Sequence, residues 1–235
     1  DAYYSVTGKP WLAMPSPYGA HNWQPMAYSP DTKLVYIPAH DVPMAYIDDT
    51  NYKPRPIGFN IGINGPAGSM PQDPPTKAQV LATVRGYLKA WDPAQQKEVW
   101  SVEQAGAWNG GVLTTGGGLV FEGNASGQFN AYNAATGATL WSFAAQGGII
   151  AAPVSYAIDG QQYVSIVVGW GGVFPISGGD MAAKNKPKSN KSRVLSFKLG
   201  GTAALPPPPE RPAPPTPPAR YGDETVLKTG HLVFH

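Results

Sequence analysis

The sequence predicts an all-β protein built from propeller blades. Three observations carry this: a repeat at a fixed offset, a Trp closing each repeat, and matching turn chemistry in between. Residues 86–100 read GYLKAWDPAQQKEVW and residues 127–141 read GQFNAYNAATGATLW. At an offset of 41 residues, Gly86 falls on Gly127, Ala90 on Ala131, Trp91 on Tyr132, Asp92 on Asn133 and Trp100 on Trp141. The same offset lays Gly111–Thr114 onto Ala152–Ser155. Each unit is an apolar strand, a turn that Asp92 or Asn133 closes by bonding its own backbone, and a second strand ending in Trp. Gly137 supplies a positive φ in one such turn, and the flat Trp is suited to packing between neighbouring sheets. A unit of about forty residues with four short strands has the length of one blade.

The rest of the chain fits around these units. Strands are expected over 33–38, 119–122, 162–168 and 193–199, the third of them after the hairpin signal Asp159-Gly160. Gly116-Gly117-Gly118 reads as a hairpin turn. Residues 41–83 are rich in Pro and Gly with little periodicity, and read as a long excursion near the functional end of a blade. Beyond Gly201 the composition changes, with nine prolines between Pro206 and Pro218. The expected organisation is a propeller portion over 1–201, a semi-rigid linker over 202–220, and the start of a further domain over 221–235. About four blades' worth of chain leaves sheet faces and edges open, so the isolated chain is expected to fold poorly.

Composition bounds the function. Gly (28) and Pro (26) make up nearly a quarter of 235 residues, but a 42% hydrophobic share with seven Trp and twelve Tyr argues for a packed core. A net charge of +2 gives no reason to expect a nucleic-acid partner. The densest basic run, Lys184–Arg193, reads as a solvated loop, the other reading being a docking patch for an acidic partner. The absence of cysteine excludes a disulfide, a zinc–thiolate site and a Cys nucleophile within the chain. No apolar run is long enough to span a membrane, and residues 1–9 carry no secretory pattern, so the start reads as internal.

The residues form no recognisable catalytic constellation. His21, His40, His231 and His235 make no helical metal pair, and Asp48-Asp49 reads as loop solvation. Three polar–aromatic clusters stand out instead: His21-Asn22-Trp23, Trp108-Asn109-Gly110-Gly111 and Gly169-Trp170-Gly171-Gly172. Small residues beside indoles and an amide suit a flat, oxygen-rich aromatic ligand, and they equally suit propeller packing.

Several longer strings carry a family resemblance. GAHNWQPMAYSPDTKLVYIPA (19–39), WNGGVLTT (108–115), AAPVSYAIDGQQYVSIVVGWGG (151–172) and the closing RVLSFKLGG resemble segments of pyrroloquinoline quinone (PQQ) dependent alcohol dehydrogenases. The Pro-rich stretch is similar to the connector between propeller and cytochrome c in the quinohaemoprotein branch. The resemblance implies a partial eight-bladed propeller, PQQ at its axis with a Ca²⁺, and a periplasmic location. It implies cofactor contacts from Asn22, Trp23, Trp108, Gly169 and Trp170, with His21 and Asn109 as neighbours.

The implied activity is oxidation of a primary alcohol, with hydride passing to the quinone, an aspartate base taking the hydroxyl proton, and electrons leaving singly to haem c and an acceptor. The resemblance matches no residue here to the base or to a Ca²⁺ ligand, and haem c would belong to a domain beyond this sequence. The isolated chain is therefore expected to be inactive. The competing expectation is a non-catalytic propeller scaffold of the outer-membrane assembly type.

Overall fold

The computed structural model describes residues 4–58, 60–187, 190–207 and 216. After a single-turn helix α1 (Tyr4–Thr7), β1 (Trp11–Ala13) prepares one half of a two-stranded ribbon. A four-stranded sheet follows, from β2 (Ala27–Ser29) and β3 (Leu34–Asp41). The chain then leaves that sheet. It forms β4 (Met44–Tyr46), which pairs with β1, and a helix α2 (Pro74–Thr83). It returns as β5 (Arg85–Asp92) and β6 (Lys97–Gln104), giving the order β2-β3-β5-β6.

The second sheet is an uninterrupted antiparallel meander of β7 (Val112–Thr115), β8 (Leu119–Gly123), β9 (Gln128–Asn133) and β10 (Thr139–Ala144). The third contains β11 (Val154–Ile158) and β12 (Gln161–Val168), then two short helices, α3 (Val173–Ser177) and α4 (Gly179–Ala183), and closes with β13 (Arg193–Lys198). The architecture is all-β with four antiparallel sheets, as expected of a partial propeller. Two of the four sheets have four strands, one has three, and one is a ribbon.

Alternation along the strands explains the stacking. In β3 the residues Leu34, Tyr36, Pro38 and His40 are buried and those between them only partly so, as a half-buried strand requires. Leu34, Tyr36, Leu88 and Ala90 of the first sheet meet Val112, Val120, Tyr132 and Ala134 of the second. On the other face of the second sheet, Phe129 and Ile149 meet Val164, Ile166 and Val168 of the third. The first strands β2, β7 and β11 are neighbours, and the Val112 N–H donates to the Pro25 carbonyl at 2.9 Å.

Pro38 sits mid-strand without breaking the ladder. His40, two residues on, sends its N–H to the Ala20 carbonyl (2.8 Å), so the side on which Pro38 lacks a donor faces away from β5.

The repeated turns behave as their chemistry predicts. Asp92 Oδ1 accepts from the N–H groups of Ala94 and Gln95, and Asn133 Oδ1 from those of Ala135 and Thr136. Trp100 docks on the next sheet's turn: its indole N–H donates to the Ala134 carbonyl at 3.0 Å, and its ring lies over Gly137. Trp141 holds the equivalent position and packs against Phe129, Phe143 and Phe197, while staying 39% exposed. Asp159 and Gly160 both have positive φ, as the hairpin signal requires.

The excursion after β3 holds more structure than its composition suggests. Asp73 caps α2 by accepting from the Thr76 N–H at 3.0 Å, and prolines occupy the first helical positions. The outer faces are open: every residue of β11 is exposed, including Val154, Tyr156 and Ile158. Of the expected linker, residues 202–207 and 216 are described. The expected start of a further domain over 221–235, with His231 and His235, lies outside the described residues.

Gly137 tests the docking of Trp100. A Cβ there would lie 2.7 Å from the indole, at a φ of +73°. Gly137→Ala is expected to lower stability by about 1–2 kcal/mol, from the left-handed backbone alone. Gln96 carries the same conformation in the first unit (φ +53°). Thermal unfolding of the full-length protein should show a lower Tm for Gly137→Ala and an unchanged or higher one for Gln96→Gly.

Candidate functional site

Topology brings the three polar–aromatic clusters to one end of the sheets. The first cluster precedes β2, the second precedes β7, and the third follows β12, whose end lies beside the start of its antiparallel partner β11. The two long insertions, 42–84 and 169–192, both leave between the second and third strands of their sheets. They therefore emerge at that same end and flank the short loop of the second sheet. There they enclose a cleft of about 520 Å³, lined by Pro17, Tyr18, Asn22, Trp23, Met44, Trp108 and the stretch 171–173. A smaller cleft of about 340 Å³ lies on the open face of the first sheet. Its charges already answer one another, through Lys89–Glu98 (2.5 Å) and a Tyr87 hydroxyl donating to Asp41 (3.0 Å).

The loop before β2 is shaped by its own polar groups. The Ser16 hydroxyl accepts from the Tyr18 N–H at 3.3 Å. Asn22 Nδ2 donates to the Tyr18 carbonyl, and Asn22 Oδ1 accepts from the Trp23 N–H, both at 2.8 Å. Asn22 thus keeps one amide N–H for a ligand, while its oxygen is committed to the loop. His21 Nδ1 lies 2.7 Å from the Pro38 carbonyl, which only accepts, so that nitrogen carries the proton. Trp23 is 54% exposed at the cleft rim.

Trp108 is the most constrained residue of the site. It is buried at 4% exposure with φ +67°, a conformation a bulky side chain adopts only when its surroundings impose it. Phe174 of α3 stacks on its ring at 5.0 Å and 17°. Tyr18 meets both rings edge-on, at 5.6 Å from Trp108 and 5.2 Å from Phe174.

Asn109 grips the backbone on both sides of this position. Its Nδ2 donates to the Gly106 carbonyl (3.0 Å), and its Oδ1 accepts from the Ala125 N–H (3.1 Å). The two glycines that follow answer to close approach: a Cβ on Gly110 would stand 2.7 Å from the Ala151 carbonyl oxygen, and one on Gly111 2.6 Å from Pro25.

The third cluster is placed differently. Gly169 directly follows β12, donating to the Gly148 carbonyl at 2.7 Å, and it lies outside the cleft lining. The Asn190 side-chain amide clasps the Trp170 backbone, accepting from its N–H and donating to its carbonyl, both at 2.7 Å, and the Trp170 ring packs on the cluster that contains Trp108. Gly171, Gly172 and Val173 reach the cleft in its place.

Sequence reasoning did not single out the roof of the site. Phe174 and Ala182 cover Trp108 from the second insertion. That insertion is tied to α2 by the Lys77–Asp180 pair (2.6 Å) and by Lys184 Nζ, which donates to the carbonyls of Leu81 and Val84. Lys184, expected in a solvated loop, therefore caps a helix end. The helix signal Asp73-Pro74-Pro75 was present in the sequence, but nothing there indicated its partner.

The cleft is poor in charge. His40, buried and 5.3 Å from Trp108, has its pKa lowered, first by burial, against an opposing backbone hydrogen bond at Tyr18. Among the described residues no carboxylate lines the cleft. Among the described residues no cluster of three His, Cys, Asp or Glu could hold a metal ion. No described helix is long and apolar enough to cross a membrane.

These features, stacked meander sheets with indoles at one end, define a partial propeller with a candidate cleft at the starts of its first strands. Comparison with known proteins specifies it further. The β-propeller domain profile of PQQ-dependent glucose/ethanol/alcohol dehydrogenases matches residues 1–164, and the chain belongs to that family. It is 42% identical over 236 aligned residues to the dehydrogenase subunit of the quinone alcohol dehydrogenase of Acetobacter aceti, covering all of this chain and 32% of that protein. Solved quinohemoprotein alcohol dehydrogenases share its fold. One from Pseudomonas putida superimposes with a TM-score of 0.84 at 40% identity, over 100% of this chain and 34% of that one. One from Comamonas testosteroni does so at 0.73 and 35%, over 100% and 33%. The chain spans about a third of the length of the relatives it matches.

The roof is testable through Trp108. Phe174→Ala removes a fully buried ring, and should cost about 3–5 kcal/mol of local packing. The fluorescence contribution of Trp108, isolated by difference from Trp108→Phe, should shift to longer wavelength as water enters. An unchanged spectrum would mean that Phe174 does not cover the indole.

Proposed function

We propose that this chain forms one wall of the PQQ site in a longer quinohaemoprotein alcohol dehydrogenase. The single observation that carries this reading is Trp108, a strained, roofed indole lining a mostly apolar cleft beside Asn22 and Trp23. The residues present suit a planar, oxygen-rich tricycle: aromatic surfaces for its faces and edges, one uncommitted amide N–H on Asn22, and no negative charge to repel its carboxylates. Bound there, PQQ supplies the two-electron acceptor for an alcohol's hydride.

The chain's own part is binding and orientation. Trp108 would abut the ring system, held in register by Asn109 below and Phe174 above. Trp23 would close the rim, excluding water from the reacting face. Asn22 would donate to a quinone or carboxylate oxygen. Gly169 would fix the strand end from which the 171–173 stretch reaches the site, with Trp170 packed behind it.

The described residues do not fit Ca²⁺ or the proton-accepting base, because none of those lining the cleft is a carboxylate. In this reading both come from the rest of the longer protein, as does haem c, which takes the electrons onward to an acceptor. Primary alcohols are the proposed substrate class and the periplasm the proposed location, both by family resemblance.

The test uses the full-length protein, titrated with PQQ and assayed for ethanol-dependent dye reduction. Trp108→Ala is expected to weaken PQQ binding about tenfold or more, equivalent to about 1.4 kcal/mol. Asn22→Ala is expected to weaken it less. A folded Trp108→Ala protein binding PQQ as tightly as the wild type would overturn the assignment.

A further inference from the structure

A buried polar network lies between the first and second sheets. Glu122 of β8 is 1% exposed, and its Oε2 accepts from Gln104 Nε2 at 2.8 Å, while Oε1 has no partner. Gln104, at the end of β6, also donates to the Tyr132 hydroxyl (3.2 Å) and accepts from Asn124 Nδ2 (3.1 Å). Asn130 Nδ2 donates to the same Tyr132 hydroxyl at 2.9 Å.

The connection to the site runs through the backbone. Gln104 and Asn124 each stand one or two residues from the groups that hold Asn109: the Gly106 carbonyl and the Ala125 N–H. Asn109 is the neighbour of Trp108, whose positive φ has to be held against relaxation. Loosening either anchor frees the residue that presents the indole.

We propose that Glu122 is a positioning residue of the Trp108 site, ordering Gln104 and Asn124 so that their loops grip Asn109. The proposal rests on the reading of Trp108 as a cofactor wall for its effect on binding, though not for its effect on Trp108 itself. Gln104 from β6 bonds Glu122 and Tyr132 from β9 lies near it, with Asn124 and Asn130 bonded behind them, and none of these four carries a charge at neutral pH. Burial pushes the Glu122 carboxyl well above its usual range, against a smaller lowering by the Gln104 bond. Burial first, then the nearby carboxyl, pushes Tyr132 up to about 12.

The sign of the pH effect follows. A carboxyl raised in the folded state contributes stability that is full below its ordinary range and is lost as pH rises through the raised value. Ionised inside the interface, Glu122 would need hydration that the packed sheets do not supply, and the network would open.

The experiment compares wild type and Glu122→Gln in the full-length protein from pH 6 to pH 10. It reads two signals: the PQQ dissociation constant, and the Trp108 fluorescence of the apoprotein obtained by difference from Trp108→Phe. In the wild type both are expected to change on the alkaline side, with PQQ affinity falling at least tenfold. In Glu122→Gln both stay flat, with affinity within about twofold of the wild type at pH 6. The same alkaline change in both proteins overturns the proposal, and so does a wild type flat across the range. If PQQ fails to bind the wild type while the Trp108 signal behaves as expected, the cofactor reading falls and the positioning role stands. Should Glu122→Gln not fold, Gln104→Met cuts the link with Glu122 intact. A folded Gln104→Met protein with an unshifted Trp108 signal would likewise overturn the proposal.

Discussion

The carbonyl of Ala134 is where the first sheet is fastened to the second. It accepts from the Trp100 indole and from the Tyr36 hydroxyl, each at 3.0 Å. Each such bond contributes only about 1 kcal/mol net, but leaving the buried groups unmatched would cost more. The Tyr36 hydroxyl is also 2.6 Å from Thr32 in the turn before β3, so one point joins a turn, a strand and the neighbouring sheet. Apolar packing of Leu34, Leu88, Val112 and Val120 supplies the bulk of the attraction, and the directed bonds set the register in which it forms.

That register brings the candidate site together at one end of the sheets. With the sheets fixed face to face, the strands β2, β7 and β11 begin side by side, and the loops before them converge. The insertions after β3 and β12 then have one direction in which to extend, and they meet over the short loop of the middle sheet. Lys184 and the Lys77–Asp180 pair join them there. Trp108 lies under this roof, and its neighbour Asn109 is bonded to the backbone at Gly106 and Ala125, so a bulky residue is held at a φ of +67°. The site is thus made by the interface between sheets rather than by any one of them.

Much of this was legible in the sequence, and the limits have physical causes. The offset that pairs Asp92 with Asn133 and Trp100 with Trp141 was readable because turn bonding and Trp docking are local and repeat with the blade. The strings around Asn22, Trp23 and Trp108 converge on one cleft, and small residues beside indoles mark close backbone approach, as Gly110 and Gly111 show. Phe174, Lys184 and Glu122 escaped notice because each acts only on a partner distant in sequence. Nothing local distinguishes a Phe that roofs an indole from one in any core, or a Lys that caps a helix from one in a solvated loop. Trp170 was read together with Trp108 because both stand beside glycines. The fold separates them, one at the cleft and one packed behind it.

The central claim is that Trp108 presents a cofactor wall in a cleft shared with Asn22 and Trp23. A crystal structure of the full-length protein grown with PQQ tests it most directly. Density for a planar tricycle in contact with the Trp108 indole, with an oxygen within hydrogen-bond reach of Asn22 Nδ2, is the result this account predicts. A tricycle bound away from these residues, or a cleft filled by the protein's own side chains while PQQ is bound elsewhere, would contradict it.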